Sequence, residues 1–480
     1  MGLRLIAVVA GLSLLLAACS PPSDRPMESV GLIDGTDVTA TVHDIGEGLF
    51  RVEYSFATPQ SAMIFSRSRN DYRSESWHPL DPGVRLERLN GFDALIFETP
   101  TLGASFNVRA RPEIRYLEYS HFVSFSDGGL ALFTGQFELL PVVAREAALA
   151  LNGDLSRWNG EQPLLGVRVQ SDRPMIRRGE RIRSGDVEIS TGGGAFIYFG
   201  DSQLEASESY VGIMDQELPA WIRETFPDTL AFLFSQLEQG WGFALEQPAA
   251  LLFAYEGNEN PGFSNKGGVL DRQLIMQSSG QQLDQDDDYV RPYLMWFFAH
   301  EASHLFQFSR GPQLSDNRDS WIHEGAANAM ANRILFEQTP ENHAYWRYAT
   351  ARAWSGCIAS LENGPLRGAA LRGEFQAYYD CGEFMALMTD AMLPELTLYD
   401  FWNEMLTDAE MSDNAYNATT YFSTLSRLGV EDDLIARLSA IVDNPTEDPG
   451  SVLLQLMIDV GLEPEFTEAN NAVRAYRYPQ

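Results

Sequence analysis

The sequence predicts an α+β protein of several domains, and three observations carry that prediction. Between about residues 31 and 205, short apolar or alternating runs stand between Gly, Asp and Pro turns, as strands do. From about residue 217 the apolar residues recur at helical spacing, with two strong helices expected at about 289–308 and 320–338. After Pro340 helical patterns such as L-Y-D-F-W-N-E-M-L and S-V-L-L-Q-L-M-I-D-V dominate. The expected organisation is therefore an antiparallel β domain at 31–205, a mixed section at 206–339 and a helical region at 340–480. A chain of 480 residues suits roughly three domains. Its 45% hydrophobic content, with 28 Phe, 18 Tyr and 9 Trp, can fill more than one core.

The first 18 residues read as a signal. Arg4 precedes an apolar run, Leu5 to Ala18, that is shorter than the ~20 residues a spanning helix needs. The run ends L-A-A-C, which resembles the bacterial lipobox and implies cleavage before Cys19 and lipidation of its thiol. A plain signal with an incidental cysteine is the alternative. Residues 19–30, rich in Pro and Ser, then form a tether to a membrane. Ser20 after the cysteine favours, by resemblance to lipoprotein sorting, the outer membrane of a bacterial envelope, with the protein facing periplasm or exterior.

In the β region, T-A-T-V-H-D, L-F-R-V-E-Y-S-F, A-L-I-F-E-T and F-I-Y-F-G are the clearest strands. Gly192-Gly193-Gly194 lacks the helix start and lysine of a phosphate loop and reads as a turn. In the middle section a helix from about Glu217 leads to a buried strand at 249–255 and a second β run, V-L-D-R-Q-L-I-M. The chain shows no internal repeat. Its net charge of −33, from 67 acidic and 34 basic residues, opposes binding to nucleic acid, whose phosphates it would repel.

The helix expected at 289–308 carries F-F-A-H-E-A-S-H-L-F-Q-F. Histidines four apart share one helix face, so His300 and His304 can reach one ion at the ~2.0–2.1 Å of a zinc–nitrogen bond. Glu301, beside them, is placed to take a proton from a water that the ion activates. With 7 histidines in 480 residues, fewer than about 0.01 accidental matches to H-E-x-x-H are expected. A buried helix has no use for two unsatisfied imidazoles, whereas a zinc site does. The third protein ligand that such a site needs is offered by Glu324, in S-W-I-H-E-G-A-A-N-A-M. Ser320 can cap that helix and put Glu324 in its first turns. His323 is the rival ligand, about 100° away around the same helix. Asn328, on the face of Glu324, is a candidate hydrogen-bond partner for a ligating imidazole.

H-E-A-S-H followed by W-I-H-E-G-A-A is similar to the gluzincin metallopeptidases, in particular the aminopeptidase N-like family and its glycyl-aminopeptidase-like relatives. The resemblance implies a thermolysin-like catalytic domain between a β domain and a helical C-terminal domain. It implies zinc on His300, His304 and Glu324, Glu301 as general base, and a peptide or protein substrate. It also implies an oxyanion-stabilising tyrosine in a Y-x-x-G element. Y-Y-D-C-G fits with Tyr379 and Gly382, and Tyr378 is the runner-up. The family's amine-binding glutamate lies in G-x-M-E-N. Here the region reads N-K-G-G-V-L-D-R, and aligning on Gly267 puts Leu270 at the acidic position, on Gly268 Asp271. Aminopeptidase and endopeptidase action both stay open, while the two glycines are candidate substrate-binding positions that let a peptide backbone approach.

If Cys19 carries lipid, Cys357 and Cys381 remain, and in an oxidising compartment they read first as a disulfide, ahead of free thiols or metal ligands. On the chain-entropy model that bridge stabilises by ~3–4 kcal/mol. The run D-Q-D-D-D at 284–288 lacks the glycine and bidentate glutamate of a calcium loop and reads as a solvated helix approach. The sequence thus predicts a lipid-anchored zinc peptidase. The alternative is an envelope lipoprotein with a structural or vestigial zinc site, which would not need Glu301.

Overall fold

The computed structural model describes residues 31–68, 71–111, 119–338, 342–466 and 473–477. The expected signal at 1–18, Cys19 and the tether lie outside these residues. Among the described residues no helix is long and apolar enough to cross a membrane.

Two long strands, Leu49–Phe65 and Phe92–Arg109, form the spine of an eight-stranded sheet and pair antiparallel. Alternation in L-F-R-V-E-Y-S-F puts Phe50, Val52, Tyr54 and Phe56 on one buried face. Val38–Gly46 lies antiparallel to the first of these strands but parallel to Leu165–Gln170. The β region is thus antiparallel except at that one junction, where a strand about 120 residues downstream returns to the sheet.

A second, five-stranded sheet packs on that face, with Phe122 and Phe199 rings 5.1 and 5.7 Å from Phe50. Its strand Phe196–Phe199 is apolar throughout because both faces are covered. Ile197 and Phe199 meet the first sheet, while Phe196 and Tyr198 meet Ile213, Leu252 and Ile275 of a third. The middle sheet therefore joins the β domain to the rest of the protein.

The third sheet runs Glu205–Ala206, Tyr210–Met214, Ala249–Tyr255, Gln273–Ser279, Ser264–Leu270 in spatial order. Its last strand is an edge among the described residues, paired antiparallel to Gln273–Ser279. The run V-L-D-R-Q-L-I-M, read as one β segment, is in fact the turn of that hairpin. Asp271 takes a left-handed φ of 51°, which reverses the chain between Leu270 and Gln273.

Helices α1 (Ala220–Trp241), α2 (Val290–Ser309), α3 (Trp321–Gln338), α4 (Asn342–Asn363) and α5 (Gln376–Met392) complete the section next to this sheet. One apolar core runs from Phe253 of the sheet through Phe298 of α2 and Phe384 of α5 to Trp402, Ile441 and Leu456. The helical C-terminal part thus shares a core with the helices that precede it.

Helices α3 and α5 meet at glycines. A Cβ on Gly325 would lie 1.9 Å from the carbonyl carbon of Gly382, and one on Gly382 would lie 2.3 Å from the Trp321 carbonyl oxygen. Only glycine permits this backbone contact. A disulfide, Cys357–Cys381, ties α4 to α5 with Cα atoms 4.7 Å apart.

Candidate active site

Helix α2 is apolar on almost every side because it lies between the third sheet and α3. Leu294, Phe298, Ala302 and Leu305 enter the core, and His300, Glu301 and His304 are also buried. Four-residue spacing brings the two imidazoles together, and α3 supplies Glu324 opposite them. His300 Nε2 and His304 Nε2 are 3.2 Å apart, and Glu324 Oε2 lies 3.2 Å from the second and 3.4 Å from the first. An ion held tetrahedrally at ~2.0–2.1 Å separates its ligand atoms by about 3.3–3.4 Å. The triangle has that size. Two imidazole nitrogens and a carboxylate oxygen converging on one point are a donor set that fits zinc, and they form the one His/Cys/Asp/Glu group among the described residues able to hold a metal.

The supports around the triangle settle its orientation. His304 Nδ1 lies 2.7 Å from Gln307 Oε1, and Gln307 donates through Nε2 to the His323 carbonyl of α3. Gln307 therefore accepts a hydrogen bond from Nδ1–H, which turns the bare Nε2 to the triangle, and it fastens α2 to α3. Sequence reasoning missed it, although a residue three after His304 shares its helix face. His323 does not replace Glu324 in the triangle. Its Nε2 instead flanks the other carboxylate oxygen, Oε1, at 3.5 Å. Burial alone would raise the Glu324 carboxyl, but His304, His300 and His323 reverse this and hold it well below its ordinary range. Burial raises the Glu301 carboxyl, as does Glu324, against the two imidazoles.

Of the two candidate tyrosines, Tyr379 lines the cleft, its ring 5.7 Å from that of His300, whereas Tyr378 is turned into the core. Burial and the charges of Glu324 and Glu301 push the Tyr379 hydroxyl well above its usual range, so it is held as a proton donor. The Gly325–Gly382 contact brings its helix against the one carrying Glu324, and the disulfide begins two residues beyond it. Two expectations are corrected. Ser320 does not cap α3 with its side chain, since its Oγ donates to the Asn317 carbonyl. Asn328 does not reach a ligating imidazole. Because α5 crosses there, its Nδ2 turns to the Tyr379 carbonyl at 3.5 Å and to Glu383 at 3.4 Å.

These side chains line one cavity of about 650 Å³. Its other wall is the edge strand, with Lys266, Gly267 and Gly268, together with Tyr119 and Arg67 from the β region. A Cβ on Gly267 would meet Met276 Sδ at 2.6 Å and Phe297 at 2.7 Å, and one on Gly268 would meet the Tyr119 ring at 2.7 Å. Both glycines line the cleft as expected, but their missing side chains make room for neighbours from the protein itself. Neither acidic alignment enters the cavity. Leu270 packs in the apolar layer with Phe196, and Asp271 pairs with Arg178 at 2.7 Å. No local signal marked Tyr119 or Arg67, which lie far along the chain from either motif.

No family model and no curated protein matches the chain in sequence. Among solved structures it is similar to an aminopeptidase N family protein from Idiomarina loihiensis, at a TM-score of 0.63 and 13% identity over 92% of this chain and 82% of that one. The chain has an aminopeptidase N-like fold. Leukotriene A4 hydrolase from Saccharomyces cerevisiae is also similar, at a TM-score of 0.48 and 11% identity over 86% of this chain and 68% of that one. At these identities the aminopeptidase N-like likeness is one of architecture: a β-rich N-terminal region followed by a mixed section and a helical C-terminal part.

Proposed function

We propose that this protein is a zinc-dependent peptidase of the gluzincin kind, with a thermolysin-like catalytic unit. The observation that carries the reading is the ligand triangle of 3.2, 3.2 and 3.4 Å with Glu301 and Tyr379 on the same cleft. His300, His304 and Glu324 would hold the ion. When bound there, zinc supplies a Lewis acid that lowers the pKa of water and polarises a carbonyl.

The chain's own residues do the rest. Glu301, buried and raised in pKa, accepts the proton of the attacking water and passes it to the departing amine. The Tyr379 hydroxyl, kept protonated, donates a hydrogen bond to the oxygen that gains charge as the carbonyl is attacked. Gln307 holds His304 in the tautomer that a ligand requires. The aminopeptidase N family protein that shares the fold makes peptide hydrolysis the first reaction to assay.

The test is to measure zinc content and hydrolysis of a mixed peptide pool for wild type and Glu301→Gln. We expect one zinc in both and a loss of about 10²–10⁴ in turnover in the variant. Equal turnover would refute the role of Glu301, and zinc without turnover in the wild type would make the site structural. We further propose anchoring through lipid on Cys19 in a bacterial envelope. Incorporation of labelled fatty acid, abolished in Cys19→Ala, tests it.

A further inference from the structure

The wall opposite the metal triangle carries a charge pattern that the proposed reaction does not use. Of the described residues lining the cavity, only Glu301 and Glu324 are carboxylates, and both belong to the triangle and its base. Among the described residues the edge-strand wall has none. The two positions where sequence alignment could place one are occupied elsewhere, Leu270 in an apolar layer and Asp271 in an ion pair with Arg178. Among the described residues, a free ammonium group entering along this wall meets no carboxylate of the strand.

The wall instead presents two cations. Lys266 Nζ is held by Glu256 at 2.7 Å, so its charge is largely matched at the rim. Arg67 is different. Its Nη2 donates at 3.3 Å to the carbonyl of Gly192, in the triple-glycine turn, and its guanidinium lies over the Phe133 ring at 5.2 Å. Its Nε is buried without a hydrogen-bond partner, and among the described residues the group makes no ion pair.

The backbone behind it is fixed. Buried Arg73, paired with Asp93, donates to the Arg67 carbonyl, while Ser66 N donates to Glu138 and Ser68 Oγ to Phe65. A half-buried guanidinium that makes no ion pair among the described residues, lining a cleft whose described strand wall bears no carboxylate, is suited to receive an anion.

Resting on the peptidase reading, we propose that Arg67 selects peptides bearing a carboxylate at the strand end of the cleft, so that the enzyme does not depend on a free N-terminal amine. Tyr119 adds a floor for such a group, since its ring fills the space over Gly268 and its hydroxyl is committed to the Val269 carbonyl. The carboxylate has two possible sources, an acidic side chain or the C-terminus of the peptide.

The experiment measures binding to full-length Glu301→Gln by calorimetry, so that affinity is read apart from turnover. The ligands are alanine-based hexapeptides blocked at both ends with Glu, Gln or Lys at the third position, plus neutral ones with only the C-terminus or only the N-terminus free. We expect a carboxylate-bearing peptide to bind about tenfold tighter than the Lys and free-amine peptides. Preference for the Glu peptide identifies a side chain as the source, and preference for the free C-terminus identifies the chain end. Arg67→Ala should bring the affinity ratio of the favoured carboxylate peptide to the Lys peptide to within about twofold of unity, and Arg67→Lys should restore part of it.

Raising the salt to about 0.5 M should also shrink the ratio in the parent protein, a readout that does not depend on any Arg67 variant folding. Tighter binding of the free-amine or Lys peptide, no binding of any peptide, or a ratio indifferent to both Arg67 and salt would overturn the inference. Failure of the peptidase reading looks different, because wild type would then hydrolyse no peptide whatever the binding order.

Discussion

On the helical wall of the cleft, Gly325 and Gly382 meet backbone to backbone, with a would-be Cβ 1.9 Å from a carbonyl carbon. On the strand wall, Gly267 and Gly268 meet the ends of side chains, Met276, Phe297 and Tyr119, at 2.6–2.7 Å. The first contact cannot yield without moving two helices, whereas the second can yield by a side-chain rotation. The helical wall also has the disulfide and the Gln307 strut, and it carries the residues proposed to do chemistry. The strand wall is the one proposed to carry recognition, on an edge that pairs from one side among the described residues. Reaction geometry tolerates errors of well under 1 Å, and recognition tolerates more.

Substitutions on the two walls should separate these roles. The largest effect is expected for Gly325→Ala, which should cost about 3 kcal/mol or more in unfolding free energy because backbone must shift. Turnover of the folded fraction should fall by about a hundredfold as Tyr379 moves from Glu324. Denaturant titration and kcat measure the two effects, and a variant with wild-type values of both would break the comparison. Tyr379→Phe should lower kcat by about 10²–10³ and leave melting temperature and metal content unchanged. A kcat within twofold of wild type would remove Tyr379 from the chemistry.

Removing the bridge with Cys357→Ala and Cys381→Ala together should lower stability by about 3 kcal/mol, read as a drop in denaturation midpoint. Undiminished stability would mean that packing alone holds α5. Behind that helix, Glu383 is buried against Asn328 and Asn332, and burial, aided by Asp380, raises its carboxyl to about 8 from 4.5. The folded state then holds a proton that the unfolded chain has released, so stability is full below pH 4.5 and declines as pH rises towards 8. Asp380, raised to about 6 mainly by its burial, adds a slope of the same sign below that pH. Glu383→Gln should remove about 2 kcal/mol of this decline between pH 5 and 8, and thermal melts across that range would show whether the slope flattens.

The smallest effect is expected on the strand wall. Gly268→Ala should cost less than about 1 kcal/mol, since the Tyr119 ring can give way, and should raise KM with little change in kcat. A collapse of kcat instead would show that the two walls are not separable.

Much of the helical wall was legible in the sequence, because its residues sit at fixed offsets on two helices whose period is set by backbone geometry. H-E-x-x-H defines one face, and W-I-H-E-G supplies Glu324, the third member of the triangle, from the next helix. The same reasoning left Tyr378 and Tyr379 open, because adjacent residues differ by about 100° and only the crossing of α3 and α5 decides which faces the cleft. It misjudged Asn328 for the same reason. The strand wall was hardly legible. N-K-G-G-V-L-D-R allowed two registers, and the turn at Asp271 that excludes its carboxylate depends on pairing with Gln273–Ser279.

By itself, then, the sequence determined the β-rich start, the helical end, the disulfide pair and the helix that brings His300 and His304 together, because each is local or counted along one element. Tertiary structure alone decided that a middle sheet with two buried faces joins the β domain to the catalytic section. It also decided that glycines from α3 and α5 touch, and that Arg67 and Tyr119 of the β domain line the same cleft as His300, His304 and Glu324. Those contacts join residues far apart in the chain, whose meeting depends on how three sheets stack, and no periodicity along the sequence records that.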